Sequence, residues 1–239
     1  MIQVSHLTKR YGRHTAIEDL TFTVDKGAVY GFLGPNGAGK STTMNILAGC
    51  LAPTEGTVTV DGFDIFDQPL RAKARVGYLP EQPPLYTGMT AREYLAFVAR
   101  AKGVPIPALE EQLDRVIAQT GIADVADRTI RNLSKGYRQR VGIAQALLAD
   151  PAVIILDEPT VGLDPLQIME IRDLIRTLGR DRTVILSTHI LSEVQAVCDH
   201  VLMIHRGHLV ATGTLAQLEA QFTNLESAFL ALAEKEGTP

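Results

Sequence analysis

The sequence predicts an α/β fold built on a parallel sheet, from three stretches of the chain. The first is Gly34-Pro35-Asn36-Gly37-Ala38-Gly39-Lys40-Ser41-Thr42, which fits G-x-x-x-x-G-K-S/T. It lies between an apolar run, Ala28 to Leu33, and a helical pattern, Thr42 to Ala48. The second is Val153-Ile154-Ile155-Leu156, a uniformly apolar run that reads as a strand buried on both faces and ends at Asp157-Glu158. The third, Thr183 to Thr188, reads the same way and delivers His189. In open α/β sheets ligands bind beyond the carboxyl ends of the strands, so the three polar ends are expected to meet at one nucleotide.

The residue types suit that ligand. Glycines let the 34–42 loop curl so that successive N–H groups face an anion. Lys40 supplies charge for β- and γ-phosphates, and Ser41 an oxygen for Mg²⁺. The competing reading is a Gly-rich turn, but the four fixed positions match by accident in on the order of one per cent of chains this long. The strand before and the helix after favour phosphate. Asp157 is expected to hold the metal through water and Glu158 to orient and deprotonate an attacking water; the alternative for this pair is a solvated acidic loop.

At 239 residues, with net charge −4 and pI near 5.9, the chain suits one large α/β domain, with or without a lobed insertion, or two small ones, and carries no electrostatic footprint for nucleic acid. No apolar run reaches the roughly 18 residues that span a bilayer, and Met1 to Ser5 lacks a signal pattern, so a cytoplasmic location is expected. Cys50 and Cys198 show no paired spacing and read as buried hydrophobes in a reducing compartment.

In chain order, residues 2–26 alternate apolar and polar side chains as a half-exposed antiparallel strand turning at Asp25-Lys26-Gly27, with Tyr11 in a turn. Gly56 to Gly62 repeats the pattern, which implies a small antiparallel sheet beside the core. From 85 to 150 the period becomes helical. Thr90-Ala91-Arg92-Glu93 is a capping box opening a helix that ends near Gly103. Leu109, Leu113, Val116 and Ile117 stripe a second helix stopped by Gly121. A third follows Ser134 and runs to Asp150-Pro151. After His189 come a short helix, a strand to His205, a turn at Arg206-Gly207, a return strand and two C-terminal helices, the last striped by Leu225, Phe229 and Leu232. His200, His205 and His208 lack a completing ligand set and read as surface residues.

Leu133-Ser134-Lys135-Gly136-Tyr137-Arg138-Gln139-Arg140 resembles the signature sequence of ATP-binding cassette (ABC) ATPases, and it lies between the phosphate loop and the Asp-Glu strand as in that family. The resemblance spans nearly the whole chain. Tyr11 matches the aromatic residue that stacks on adenine, Gly34 to Thr42 the Walker A motif with Gly34, Asn36, Gly37 and Gly39 in its loop, and Val153 to Glu158 the Walker B motif. Gly162-Leu163-Asp164-Pro165 matches the loop that crosses the dimer interface, and His189 the switch histidine on the γ-phosphate.

The resemblance implies a P-loop NTPase (RecA-like) core with an antiparallel β subdomain, about residues 1–84 and 151–213, a helical signature-bearing lobe, about 85–150, and C-terminal helices, 214–239, all in one ABC ATPase domain. It further implies ATP and Mg²⁺ as cofactors, and a second cassette, identical or different, whose Ser134 and Gly136 close over the first chain's ATP. A separate transmembrane permease is the expected partner and nucleic acid is not. The chain would sit peripherally on the cytoplasmic face of the membrane. Ser134 suits this as the N-cap of a helix whose positive end faces an anion.

Two segments depart from the family pattern. Lys135 and Tyr137 replace Gly and Gln in the signature, and Lys135 is expected to add a cation near the phosphates. In Gly77-Tyr78-Leu79-Pro80-Glu81-Gln82, Glu81 stands where the family has Gln, leaving Glu81 and Gln82 both open as the residue facing Mg²⁺ and water. Both variants resemble ATPases of the ABC-2 exporter type, so export is expected. The alternatives are an importer ATPase and a non-transport ABC ATPase acting on ribosomes or DNA; the latter generally adds a second cassette, a zinc module or a coiled-coil insertion.

Overall fold

The structure, a computed structural model, describes residues 1–221 and Ser227. Its strands are β1 (Ile2–Tyr11), β2 (His14–Val24), β3 (Val29–Leu33), β4 (Glu55–Val60), β5 (Phe63–Asp64), β6 (Val76–Leu79), β7 (Val153–Asp157), β8 (Thr183–Thr188), β9 (His200–His205) and β10 (His208–Thr214). The helices are α1 (Lys40–Leu47), α2 (Pro69–Lys73), α3 (Ala91–Ala101), α4 (Leu109–Gln119), α5 (Lys135–Leu147), α6 (Pro165–Gly179), α7 (Leu191–Val197) and α8 (Leu215–Gln221).

The main sheet runs β10-β9-β3-β8-β7-β6, parallel except for the edge strand β10. Successive side chains on a strand point to opposite faces, and here each face has its own core. Ile154, Leu156, Val184 and Leu186 join the apolar stripes of α3 to α7, whereas Val153, Ile155, Ile185 and Phe32 join α1 and the antiparallel sheet β2-β1-β4-β5. Burial on both faces explains why β7 and β8 are apolar without alternation, each such side chain contributing about 1.5–3 kcal/mol.

Local chemistry sets the helix starts. Thr90 Oγ1 accepts from Glu93 N at 3.2 Å while Glu93 Oε2 accepts from Thr90 N at 2.8 Å, the reciprocal capping box read from the sequence. Ser134 Oγ accepts from Tyr137 N, and Asp164 Oδ1 accepts from Gln167 N, capping α5 and α6. Helix α5 lies against the edge strand β6 with almost no space between them. A Cβ on Gly77 would stand 2.1 Å from Ala146 O, and one on Gly142 would stand 2.6 Å from Leu79 Cδ1.

Several expectations need correction. Residues 2–26 form a hairpin, β1 and β2, whose register shifts at His6 and Asp19, both with positive φ; Tyr11 is the last residue of β1. Strand β6 and helix α6 were not foreseen. Helix α5 ends at Leu147, and left-handed Ala149 and Asp150 turn the chain before Pro151. Cys198 is buried but Cys50 is exposed. His200 is half-buried and stacks on Tyr30 with ring centroids 4.7 Å apart, so it is not simply a surface residue, whereas His208 reaches Glu18 at 3.6 Å with both side chains well exposed. The Leu225, Phe229 and Leu232 stripe lies outside the described residues.

Candidate functional site

The phosphate loop joins β3 to α1. Gly37 and Gly39 take φ of +80° and +103°, which L side chains rarely adopt, and a Cβ on Gly39 would lie 2.7 Å from Ala16 O. Gly34 N donates to Thr188 O at 3.3 Å, so the loop begins pinned to the end of β8. Beyond it opens a cleft of about 490 Å³, within the usual range for small-molecule sites. Tyr11, Asn36, Gly37, Gly39, Lys40, Ser41, Thr42, Glu81, Glu158 and His189 all line it.

Three polar side chains meet at its floor. Lys40 Nζ donates to Gly34 O at 2.9 Å and to Pro35 O at 3.2 Å, and lies 3.2 Å from Glu158 Oε1. Glu158 Oε2 in turn lies 3.0 Å from His189 Nδ1. Lys40 and Glu158 are both buried, whereas His189 opens toward solvent. Glu158 itself sits at φ +49°, a strained value for a non-glycine residue and one often found where a side chain must be aimed.

Asp157 forms a second cluster. Its Oδ1 accepts from Ser41 Oγ at 3.2 Å and, more tightly, from Ser187 Oγ, while Ser187 Oγ accepts from Glu158 N at 3.1 Å. Burial pushes the Asp157 carboxyl above the usual carboxylate range; the two serine hydroxyls and Lys40 oppose that rise, and Glu158 adds to it. These are hard oxygen donors of the kind Mg²⁺ takes. Among the described residues no group of three or more His, Cys, Asp or Glu is placed to hold a metal ion.

The signature residues lie elsewhere. Ser134, Gly136 and Asp164 line a different recess of about 210 Å³ with Tyr137, Arg140 and Gln167. Tyr137 donates to Asp124 Oδ2 at 2.7 Å. Lys135 does not point into the nucleotide cleft. Its ammonium lies over Gly162, where a Cβ would come within 2.1 Å of Nζ, and the side chain lines a third recess with Gln82, Arg138, Glu81 and Glu158. Glu81 therefore borders both this recess and the nucleotide cleft, and Gln82 only the former.

Sequence reasoning missed Ser187, although a hydroxyl at the carboxyl end of an otherwise apolar strand was a readable signal. It also missed His14, Ala16 and Val161 in the cleft wall, which carry no motif.

A phosphate-binding loop, a strand-end acid pair and a histidine converging on one cleft define a P-loop nucleoside triphosphatase. Residues 17–161 match the ABC transporter family, and the chain belongs to it as an ATP-binding, ATP-hydrolysing protein. It is 42% identical over 85% of its length to the ABC transporter ATP-binding protein NatA of Bacillus subtilis (strain 168), covering 83% of that protein. It is 40% identical over 88% of its length to the bacitracin transport ATP-binding protein BcrA of Bacillus licheniformis, covering 68% of it. A solved ATP-binding subunit of an ABC transporter superposes with TM-score 0.86 at 32% identity, over 97% of this chain and 99% of the other. Among the described residues no helix is long and apolar enough to cross a membrane.

Proposed function

We propose that this chain hydrolyses ATP between two cassettes set head to tail and thereby drives export through a separate transmembrane subunit, lying peripherally on the cytoplasmic face of the membrane. The observation that carries the reading is the separation of the two half-sites. The cleft holds Lys40, Ser41, Glu158 and His189, while Ser134, Gly136 and Asp164 face a different recess, so a second copy of the signature is needed to cover the nucleotide. The similarity to a bacitracin transport ATP-binding protein supports transport, and the Glu81 and Lys135 variants support export.

In this reading the chain is one cassette, with residues 85–150 as its helical lobe. Tyr11, half exposed at the cleft mouth, stacks on adenine. The loop amides of Gly37 and Gly39, with Asn36, Lys40 and Thr42, hold the phosphates. Ser41, Asp157 through water, and Glu81 would hold Mg²⁺, which when bound draws charge from the β- and γ-oxygens. Glu158 takes the proton of the attacking water, and His189, 3.0 Å away, contacts the γ-phosphate and keeps the carboxylate aimed. Glu81, bordering the cleft, takes the role that Gln82 is less well placed to fill, and its segment with the helical lobe docks the membrane subunit.

The test combines Glu158→Gln with purification of the tagged chain from membranes in mild detergent. The amide keeps the side chain's shape but cannot accept the proton, so turnover should fall by about 100-fold or more while ATP still drives dimerisation. Wild-type turnover would remove Glu158 from this role. Co-purification of a polytopic membrane protein is expected; recovery of ribosomes or DNA instead would overturn the transport reading.

A further inference from the structure

Glu193 has no part in the roles above, yet it is only 3% exposed, in the first turn of α7. Two buried hydroxyls hold its carboxyl. Thr160 Oγ1 donates a short bond to Oε1, and Thr188 Oγ1 donates to Oε2 at 2.6 Å. A carboxyl is expensive to bury even when fully hydrogen-bonded, and a leucine or methionine would fill similar volume more cheaply. Packing alone does not explain it.

Its two partners sit at informative places. Thr160 is two residues beyond Glu158, in the turn closed by Val161 N to Glu158 O at 3.3 Å and Leu163 N to Thr160 O at 3.2 Å. Thr188 immediately precedes His189; its hydroxyl accepts from Ile190 N at 3.0 Å and its carbonyl from Gly34 N at 3.3 Å. One carboxyl thus joins the segment carrying Glu158 to the segment carrying His189, and the latter is tied to the start of the phosphate loop. Glu158 needs such support. Its left-handed backbone persists only if held from both sides, and Ser187 holds just the near side, through Glu158 N.

We propose that Glu193 is a positioning residue for ATP hydrolysis: by bridging Thr160 and Thr188 it fixes Glu158 relative to His189 and the phosphate loop. The proposal rests on the roles assigned above to Glu158 and His189. Glu193 touches no nucleotide, so its loss acts on geometry, and a displacement of about 1 Å at a reacting group costs up to about 100-fold.

The experiment measures steady-state ATPase, nucleotide affinity and thermal melting on the full chain carrying Glu193→Ala, Glu193→Gln, Thr160→Val or Thr188→Val. In Glu193→Ala, kcat should fall about 10- to 100-fold with KM for ATP within about threefold of wild type. Glu193→Gln should recover kcat to within about threefold, because an amide accepts from one hydroxyl and donates to the other. Each valine variant should show a partial loss, and adding Thr160→Val, whose hydroxyl bonds Glu193, to Glu193→Ala should cost nothing more. A folded Glu193→Ala with wild-type kcat overturns the proposal, as does a Glu193→Gln as impaired as the alanine variant. If Glu193→Ala does not fold, wild-type kcat in both valine variants overturns it instead. Glu158→Gln and His189→Ala serve as controls. Normal turnover in those two defeats the underlying catalytic reading, whereas their failure alongside fully active Glu193 and threonine variants defeats the bridge alone.

Discussion

Ser187→Ala isolates the least visible member of the site. The Ser187 hydroxyl is fully buried, donates to Asp157 Oδ1 and accepts from Glu158 N at 3.1 Å. Alanine removes both bonds with little change in volume. Glu158 N keeps a second acceptor, Ser187 O at 3.2 Å, so the main loss is the donor to Asp157. A hydrogen bond to a charged buried group contributes about 1.5–3 kcal/mol, and the variant should lose about 2 kcal/mol of stability at neutral pH in urea titration without added nucleotide. The loss should depend on pH with a definite sign. Burial already holds the folded Asp157 carboxyl above its ordinary value of 3.8, so across that window the folded chain binds more protons than the unfolded one and stability falls as pH rises. Removing a bond that favours the carboxylate raises the folded value further and carries the fall to higher pH. The deficit of Ser187→Ala should therefore be greatest above the pH at which the folded Asp157 carboxyl titrates and shrink as the pH falls through that range. A deficit below about 0.5 kcal/mol, or one that does not shrink as the pH is lowered toward the ordinary carboxylate range, would refute the reasoning.

Two further outcomes follow from packing and capping. Gly77→Ala drives a methyl into Ala146 O, a backbone atom that cannot swing aside, and should cost about 3 kcal/mol, read as a lowered urea midpoint with an unchanged m-value. Lys102→Met removes the ammonium that donates to Gln145 O at 2.9 Å, Leu148 O at 3.1 Å and Ala146 O at 3.3 Å around the end of α5, and should cost about 1–2 kcal/mol by the same titration.

The parts of the molecule legible in the sequence are those where local chemistry and burial agree. The phosphate loop, β7 with its acids, β8 with His189 and the Thr90 capping box each carry enough information within ten residues to be read directly. Helix α6 was harder. It opens on Pro165, which reads as loop, and only Ile171, Ile175 and Leu178 are buried, while exposed Leu166 and Met169 blur the stripe. Strand β6 is four residues with a glycine inside, too short and too weak in propensity to announce itself. The β1–β2 hairpin was misread because left-handed His6 and Asp19 break the alternation on which strand reading depends. Pairings such as Ile2 with Val60, or Val29 with Val184, join residues far apart and leave no local trace. The same holds for Ser187 and Glu193: each is one polar letter among other polar neighbours, and its meaning appears only when another loop is folded against it.

The contact of α5 with β6 has a mechanical consequence. With no side chain at Gly77 to act as a cushion, the far end of α5 and the edge strand behave as one stiff piece, and β6 runs within two residues into Glu81. Ser134 lies about 18 Å along the helix axis from Ala146 at 1.5 Å rise per residue. A push on the Glu81 segment that tilted this unit by about 10° would swing Ser134 through about 3 Å, roughly a hydrogen-bond length. If, as proposed, Ser134 meets a phosphate of a second cassette and the Glu81 segment meets the membrane subunit, the edge of the sheet would serve as a fulcrum and α5 as a lever, turning a small displacement at one end into the gain or loss of a hydrogen bond at the other.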